Sequence, residues 1–213
     1  MKLLVTAGAT REPIDSVRYL SNVSTGRTGA SLATTLAERG YDVTLLHGQG
    51  AAMPSALVAT REFGSAGNLG AQLRVLLGTG DYDAVIMAAA VADYRPAEVA
   101  TGKISSAADQ LTLSLIRNPK LLTQLRGFSP RPLIVIGFKL TVGAGETQRA
   151  AAVAAQFSVG GIDAVVHNDL AEIRATTAHP FRLYTSAQQP PRELAGEAAL
   201  AAELDGLITE GKR

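Results

Sequence analysis

Residues 3–29, LLVTAGATREPIDSVRYLSNVSTGRTG, set a short apolar run, Leu3-Leu4-Val5, ahead of Gly8 and a dense polar segment. The run reads as a buried strand that delivers a loop. The loop carries Thr10, Arg11, Glu12, Asp15, Arg18, Asn22, Ser24, Thr25 and Arg27, and it closes on Gly26 and Gly29, where a helical pattern starts. Glycine ahead of a helix lets the backbone come close to an anion, which the helix N-terminus then favours. Strand, polar loop and glycine-opened helix are together the parts of a nucleotide site. The spacing is not G-x-G-x-x-G, because Gly8 stands alone and Gly26-Arg27-Thr28-Gly29 comes much later. A plain surface loop accounts for such glycines equally well.

Further along, Leu32, Leu36 and Ala37 fall on one face of a helix over residues 29–40, stopped at Arg39-Gly40. Residues 42–46 read as a second strand, 57–60 as a third and 83–87 as a fourth, with a helix over 68–77 between the last two. The fourth is continuously apolar and so buried on both faces. This β-α-β-β-α-β order predicts an α/β sheet with right-handed crossovers. The pattern then breaks: residues 98–109 have no period and read as a mobile excursion. Residues 111–115 alternate strictly, as a half-exposed strand does. Asn118-Pro119 predicts a helix start with Asn as its cap. Strands are expected over 133–138, 162–166 and 181–185, and helices over 146–157 and 193–208. No repeat or linker divides the chain, so a single domain over residues 1–213 is expected.

A net charge of +1 argues against a nucleic-acid surface. The chain has no cysteine, which excludes disulfides and thiolate metal sites and fits a cytoplasmic setting. No signal peptide is legible and no apolar run reaches the roughly 18–20 residues of a membrane span.

Other clusters sit at predicted strand ends, where ligands of open α/β sheets gather. Ala88-Ala89-Ala90-Val91-Ala92-Asp93-Tyr94-Arg95-Pro96 offers small residues for close approach and one carboxylate; a tight strand exit explains it as simply. Lys103 lies in the excursion, where a solvated lysine is the ordinary reading. Gly137-Phe138-Lys139-Leu140-Thr141 and Asp163-Ala164-Val165-Val166-His167-Asn168-Asp169 end later strands. The three histidines form no H-x-x-x-H metal site.

These motifs, taken in order, resemble the phosphopantothenate–cysteine ligase family. The family pattern is close to TAGGTREPID, VRY-SN-SSG-x-x-G, then AAVADYRP, a lysine-bearing flap, K-N-P-D-I and D-x-I-V-x-N-D. The resemblance runs from Val5 to about Tyr184. Ala9, Val23 and Thr25 depart from it slightly; the flap reads Lys-Ile-Ser-Ser rather than Lys-Ile-Lys-Lys; and Gln156 and Gly160 stand near two lysines of fused bacterial enzymes. A decarboxylase domain fused to many members has no counterpart, so a stand-alone ligase is expected.

The resemblance implies a Rossmann-like α/β fold with a mostly parallel sheet, a flap and an added strand region for homodimerisation around residues 111–115. It implies that CTP, or ATP, with Mg²⁺ activates 4′-phosphopantothenate for attack by L-cysteine. Gly8, Ser24, Gly26 and Gly29 would hold the nucleotide phosphates, with Phe138, Lys139 and Asn168 near the base. Asn22 would bind the reacting carboxylate; Ala89, Ala90 and Asp93 would line the substrate pocket. Arg18 would bind the substrate phosphate from a neighbouring subunit, and Lys103 would close over developing phosphate charge. No metal-ligating residue is identified. Two alternatives stay open: an NAD(P)-dependent Rossmann reductase, which calls for G-x-G-x-x-G and an acidic residue after the second strand, and a non-catalytic nucleotide-binding paralogue.

Overall fold

The structure, a computed structural model, describes residues 1–176 and 178–211. In chain order its elements are β1 (Lys2–Ala7), β2 (Arg11–Pro13), β3 (Tyr19–Ser21), α1 (Arg27–Glu38), β4 (Asp42–Gly48), β5 (Ala59–Phe63), α2 (Ala66–Gly78), β6 (Ala84–Met87), β7 (Tyr94–Pro96), β8 (Leu115–Arg117), a short 3₁₀ turn (Leu121–Gln124), α3 (Leu125–Phe128), β9 (Ile134–Thr141), α4 (Glu146–Ser158), β10 (Ala164–Asp169), α5 (Leu170–Ala175), β11 (Pro180–Tyr184), β12 (Arg192–Ala195) and α6 (Glu197–Glu210). Eight strands form one sheet in the order β12-β11-β10-β9-β6-β1-β4-β5. The six from β10 to β5 run parallel, and β11 and β12 are antiparallel additions at one edge.

Strand alternation sorts β1 between two cores. Leu3, Val5 and Ala7 face the layer of α1 and α6, where Leu32, Leu36, Leu200, Leu204 and Ile208 are buried. Leu4 faces the layer of α2 and α3, with Leu69, Leu73, Leu77 and Leu125. Each buried leucine contributes about 1.5–3 kcal/mol relative to exposure. The chain leaves β1 for β4 on one side and returns through α2 to β6 on the other. The order therefore reverses between β1 and β6, and their carboxyl ends flank the crevice where such sheets bind ligands.

Four expected elements differ. The third strand begins at Ala59, not Leu57; Leu57 is exposed, and pairing with β4 starts only after Val58 has packed into the core. Residues 111–115 are not a strand. Only Leu115 joins one, and Leu111 and Leu113 are exposed because no core lies under their apolar side. Asn118 does not cap a helix: its Nδ2 donates to the Ala92 carbonyl at 2.9 Å and its Oδ1 accepts from Arg95 at 3.0 Å, so the turn starts at Leu121. The closing helix is split by Gly196 at φ 95°, a left-handed turn that favours glycine and leaves residues 192–195 to pair as β12. The β2–β3 hairpin was not legible in the sequence.

Candidate functional site

The loops after β1 and β6 are stitched together. Ala90 N–H donates to the Gly8 carbonyl at 2.8 Å and Thr10 N–H to the Ala90 carbonyl at 3.2 Å. The Thr6 and Thr10 hydroxyls accept from Ala89 N–H at 3.1 Å and Ala92 N–H at 3.0 Å. The Ser21 hydroxyl donates to the Thr10 carbonyl at 2.8 Å, and Asn22 Nδ2 reaches the Val91 carbonyl at 3.3 Å. Asn22 thus stands beside Ala89 and Ala90 on the crevice, with its side chain exposed.

The glycines are required by the protein itself. A Cβ on Gly8 or on Gly26, both at positive φ, would lie 2.8 Å from Ala51 Cβ, and one on Gly29 would lie 2.6 Å from Ala7 Cβ. Three loops, after β1, before α1 and after β4, therefore close on one another through missing side chains. That packing also sets the helix end. Gly26 is the N-cap of α1 with no side-chain cap, no acidic residue sits in the first turn, and Ser24 Oγ stands 3.4 Å from Gly26 N. Uncapped first-turn N–H groups attract an anion.

Phe138, Lys139 and Asn168 lie at the carboxyl ends of β9 and β10, the next strands beyond β6 in the sheet. Gly8, Ala89, Phe138 and Asn168 therefore mark four adjacent strand ends along one sheet edge. Gln156 Nε2 donates to the Phe138 carbonyl at 3.3 Å, so the residue standing near a family lysine borders that region. Asn168 Nδ2 lies 3.0 Å from His179 Nε2, and His179 stacks on Phe181. Burial holds the His179 imidazole below its ordinary pKa, which keeps it neutral and able to accept.

Asp169 organises the turn after β9. Burial pushes its carboxyl up, but the Thr141 hydroxyl at 2.6 Å and the N–H groups of Ala144, Gly143 and Ala171 outweigh burial and hold it well below the carboxylate range. Because Thr141 donates to Asp169, His167 Nε2 at 2.9 Å must donate to Thr141, and burial keeps that imidazole neutral.

Arg18 is half-buried, with NH1 3.3 Å from Asp15 Oδ2. Asp93 is exposed and pairs with Lys120 at 2.5 Å, where the family pattern has an acidic residue. Lys103 is exposed. Sequence reasoning gave no individual role to Thr10, Asp15, Ser21 or His179. The first three sit within residues 3–29, but only the fold shows which partners they take. A cleft of about 660 Å³ lies elsewhere, between Glu12, Ser65, Arg74, Arg95 and Asn118. Among the described residues no group of three or more His, Asp or Glu side chains is placed to hold a metal, and no helix is long and apolar enough to cross a membrane.

The family model for the DNA/pantothenate metabolism flavoprotein C-terminal domain matches residues 1–201. The coenzyme A biosynthesis bifunctional protein CoaBC of Mycolicibacterium smegmatis is 38% identical over 182 residues, covering 82% of this chain and 44% of that protein. The chain thus spans under half the length of that relative. A DNA/pantothenate metabolism flavoprotein structure from Streptococcus pneumoniae is 27% identical with a TM-score of 0.87, covering 99% of both chains. A Cab2 mutant in complex with phosphopantothenate-cysteine shares the fold at 17% identity and a TM-score of 0.83, covering 98% of this chain and 86% of that one.

Proposed function

The chain belongs to the DNA/pantothenate metabolism flavoprotein C-terminal domain family, and on that premise we propose that it joins 4′-phosphopantothenate to L-cysteine in coenzyme A biosynthesis. The observation that carries this reading is the contact of Asn22 with Val91 in the loop after β6, the loop whose Ala90 bonds Gly8 and Thr10 across the sheet's switch point. A carboxylate oxygen attacks the α-phosphorus of a nucleoside triphosphate, and pyrophosphate leaves. The cysteine amine then attacks the acyl carbon, loses a proton, and expels the nucleoside monophosphate to give the amide. No covalent enzyme nucleophile is needed, and the protein's part is positioning and charge stabilisation.

Each residue takes the role its placement supports. The open end of α1, with Ser24, Gly26 and Gly29, receives phosphate charge, and Gly8 closes the loop beneath. Asn22 donates to the carboxylate oxygen and keeps donating as the mixed anhydride forms. Ala89 and Ala90 give the substrate room, and Asp93 borders it. Lys103 supplies a cation from residues 98–109, and Arg18 reaches the substrate phosphate of a second copy in a homodimer. Phe138, Lys139 and Asn168 surround the base. Mg²⁺ bound with the nucleotide would neutralise triphosphate charge; among the described residues no group of three or more His, Asp or Glu side chains is placed to hold it. The reaction takes place in the cytoplasm.

CTP is the expected nucleotide, with weak discrimination against ATP, because Gln156 replaces a charged group beside Phe138. A pocket without dedicated hydrogen bonds to one base discriminates by about 10–200-fold. Pyrophosphate release assayed with each nucleotide, phosphopantothenate and cysteine tests both statements. No release with any nucleotide removes the ligase reading, and specificity constants differing by more than about 10⁴ remove the reading of the base pocket.

A further inference from the structure

We propose that Asp15 is a positioning residue that fastens residues 98–109 to the turn bearing Arg18, and so fixes where Lys103 stands. Its side chain is fully buried, and both oxygens are used. Oδ1 accepts from Val17 N–H and Arg18 N–H, each at 2.8 Å, which shapes the turn. Oδ2 accepts from Ile104 N–H at 3.0 Å and lies 3.3 Å from Arg18 NH1. A second bond, Ala100 N–H to the Ile14 carbonyl at 3.1 Å, ties the same segment four residues earlier. Lys103 sits between these two attachments and is exposed, so its ammonium sweeps only the space its own side chain allows.

A carboxylate suits this position because it alone accepts on both oxygens without donating on either. The N–H of Val17 foremost, with those of Ile104 and Arg18, outweighs burial and keeps the carboxyl below its ordinary pKa. The attachment therefore stays charged throughout the neutral range. One side chain thus sets the two cations that the proposed ligase reaction uses from outside the sheet edge. The catalytic half of this inference rests on that reading; the attachment itself does not.

The test uses the full chain. Hydrogen exchange should show the Ile104 amide protected relative to Ser105, whose N–H has no partner among the described residues. In Asp15→Asn the amide keeps one acceptor for the turn and loses the one facing Ile104. Protection should then vanish at Ile104 and persist at Ala100, and tryptic cleavage after Lys103 should rise about 10–100-fold, the factor for a hydrogen bond to a charged group. Turnover should fall through kcat, with KM for the nucleotide near that of the parent chain. Equal exchange at Ile104 and Ser105 in the parent chain, which needs no variant, overturns the attachment, as does unchanged cleavage in Asp15→Asn. A loosened segment with unaltered kcat overturns the positioning role. Absence of ligase activity in the parent chain would count against the function, while exchange and cleavage still decide the attachment.

Discussion

Asn22 donates its side-chain amide to the carbonyl of Val91 at 3.3 Å, joining the loop after β1 to the loop after β6. Asn22 is exposed, so its replacement leaves the core untouched. Asn22→Asp sets a negative charge against both that carbonyl and the incoming carboxylate. Amide formation is expected to disappear while the circular dichroism spectrum and unfolding midpoint stay those of the parent chain. Undiminished turnover would take Asn22 out of the site.

Arg18 tests the second copy. If it serves the neighbouring subunit's substrate, Arg18→Ala and Asn22→Asp chains are each inactive, and mixing them restores activity, because one hybrid site then carries both original residues. A mixture that stays inactive after verified subunit exchange would place Arg18 in its own subunit's site or in none.

Gly29 separates packing from helix propensity. Alanine is better than glycine inside a helix by about 1 kcal/mol. At this position its Cβ would stand 2.6 Å from Ala7 Cβ and 3.0 Å from the Thr6 carbonyl oxygen. Overpacking costs about 1–3 kcal/mol, so the clash should win. Gly29→Ala is expected to lower stability in urea and to raise KM for the nucleotide by shifting the first turn of α1. A stability gain would show that α1 does not need this close approach.

Much of this was legible beforehand. Short apolar runs located β1, β4 and β6, and helical spacing located α1 and α2, because each of these elements buries apolar side chains. The failures share a cause. Leu111 and Leu113 alternate without a core to face, and Asn118 looks like a cap but is drawn into bonds with Ala92 and Arg95. Both outcomes depend on tertiary partners that local pattern does not name. The same holds for the site. The motifs pointed to strand ends, but the role of Gly8 and Gly26 in closing three loops, and of Asp15 in gripping Ile104, appears only when distant segments meet.

Asp169 predicts an acid-dependent stability. Its folded pKa lies below the unfolded carboxylate value near 3.9. Its contribution is therefore complete above about pH 4 and is lost as pH falls toward the folded value. Asp169→Asn should cost about 1–3 kcal/mol at neutral pH, since buried donors lose a charged acceptor, and should flatten the acid limb of the stability curve. Equal slopes below about pH 4 for both chains would contradict this placement of the charge.

The path of one oxygen atom tests the proposed chemistry most directly. With 4′-phosphopantothenate labelled with oxygen-18 in its carboxylate, complete turnover with CTP and L-cysteine should place one labelled oxygen in the phosphate of CMP and leave the other in the amide carbonyl. Label found in inorganic phosphate or pyrophosphate, or amide formed with none in CMP, would contradict activation through an acyl-nucleotide.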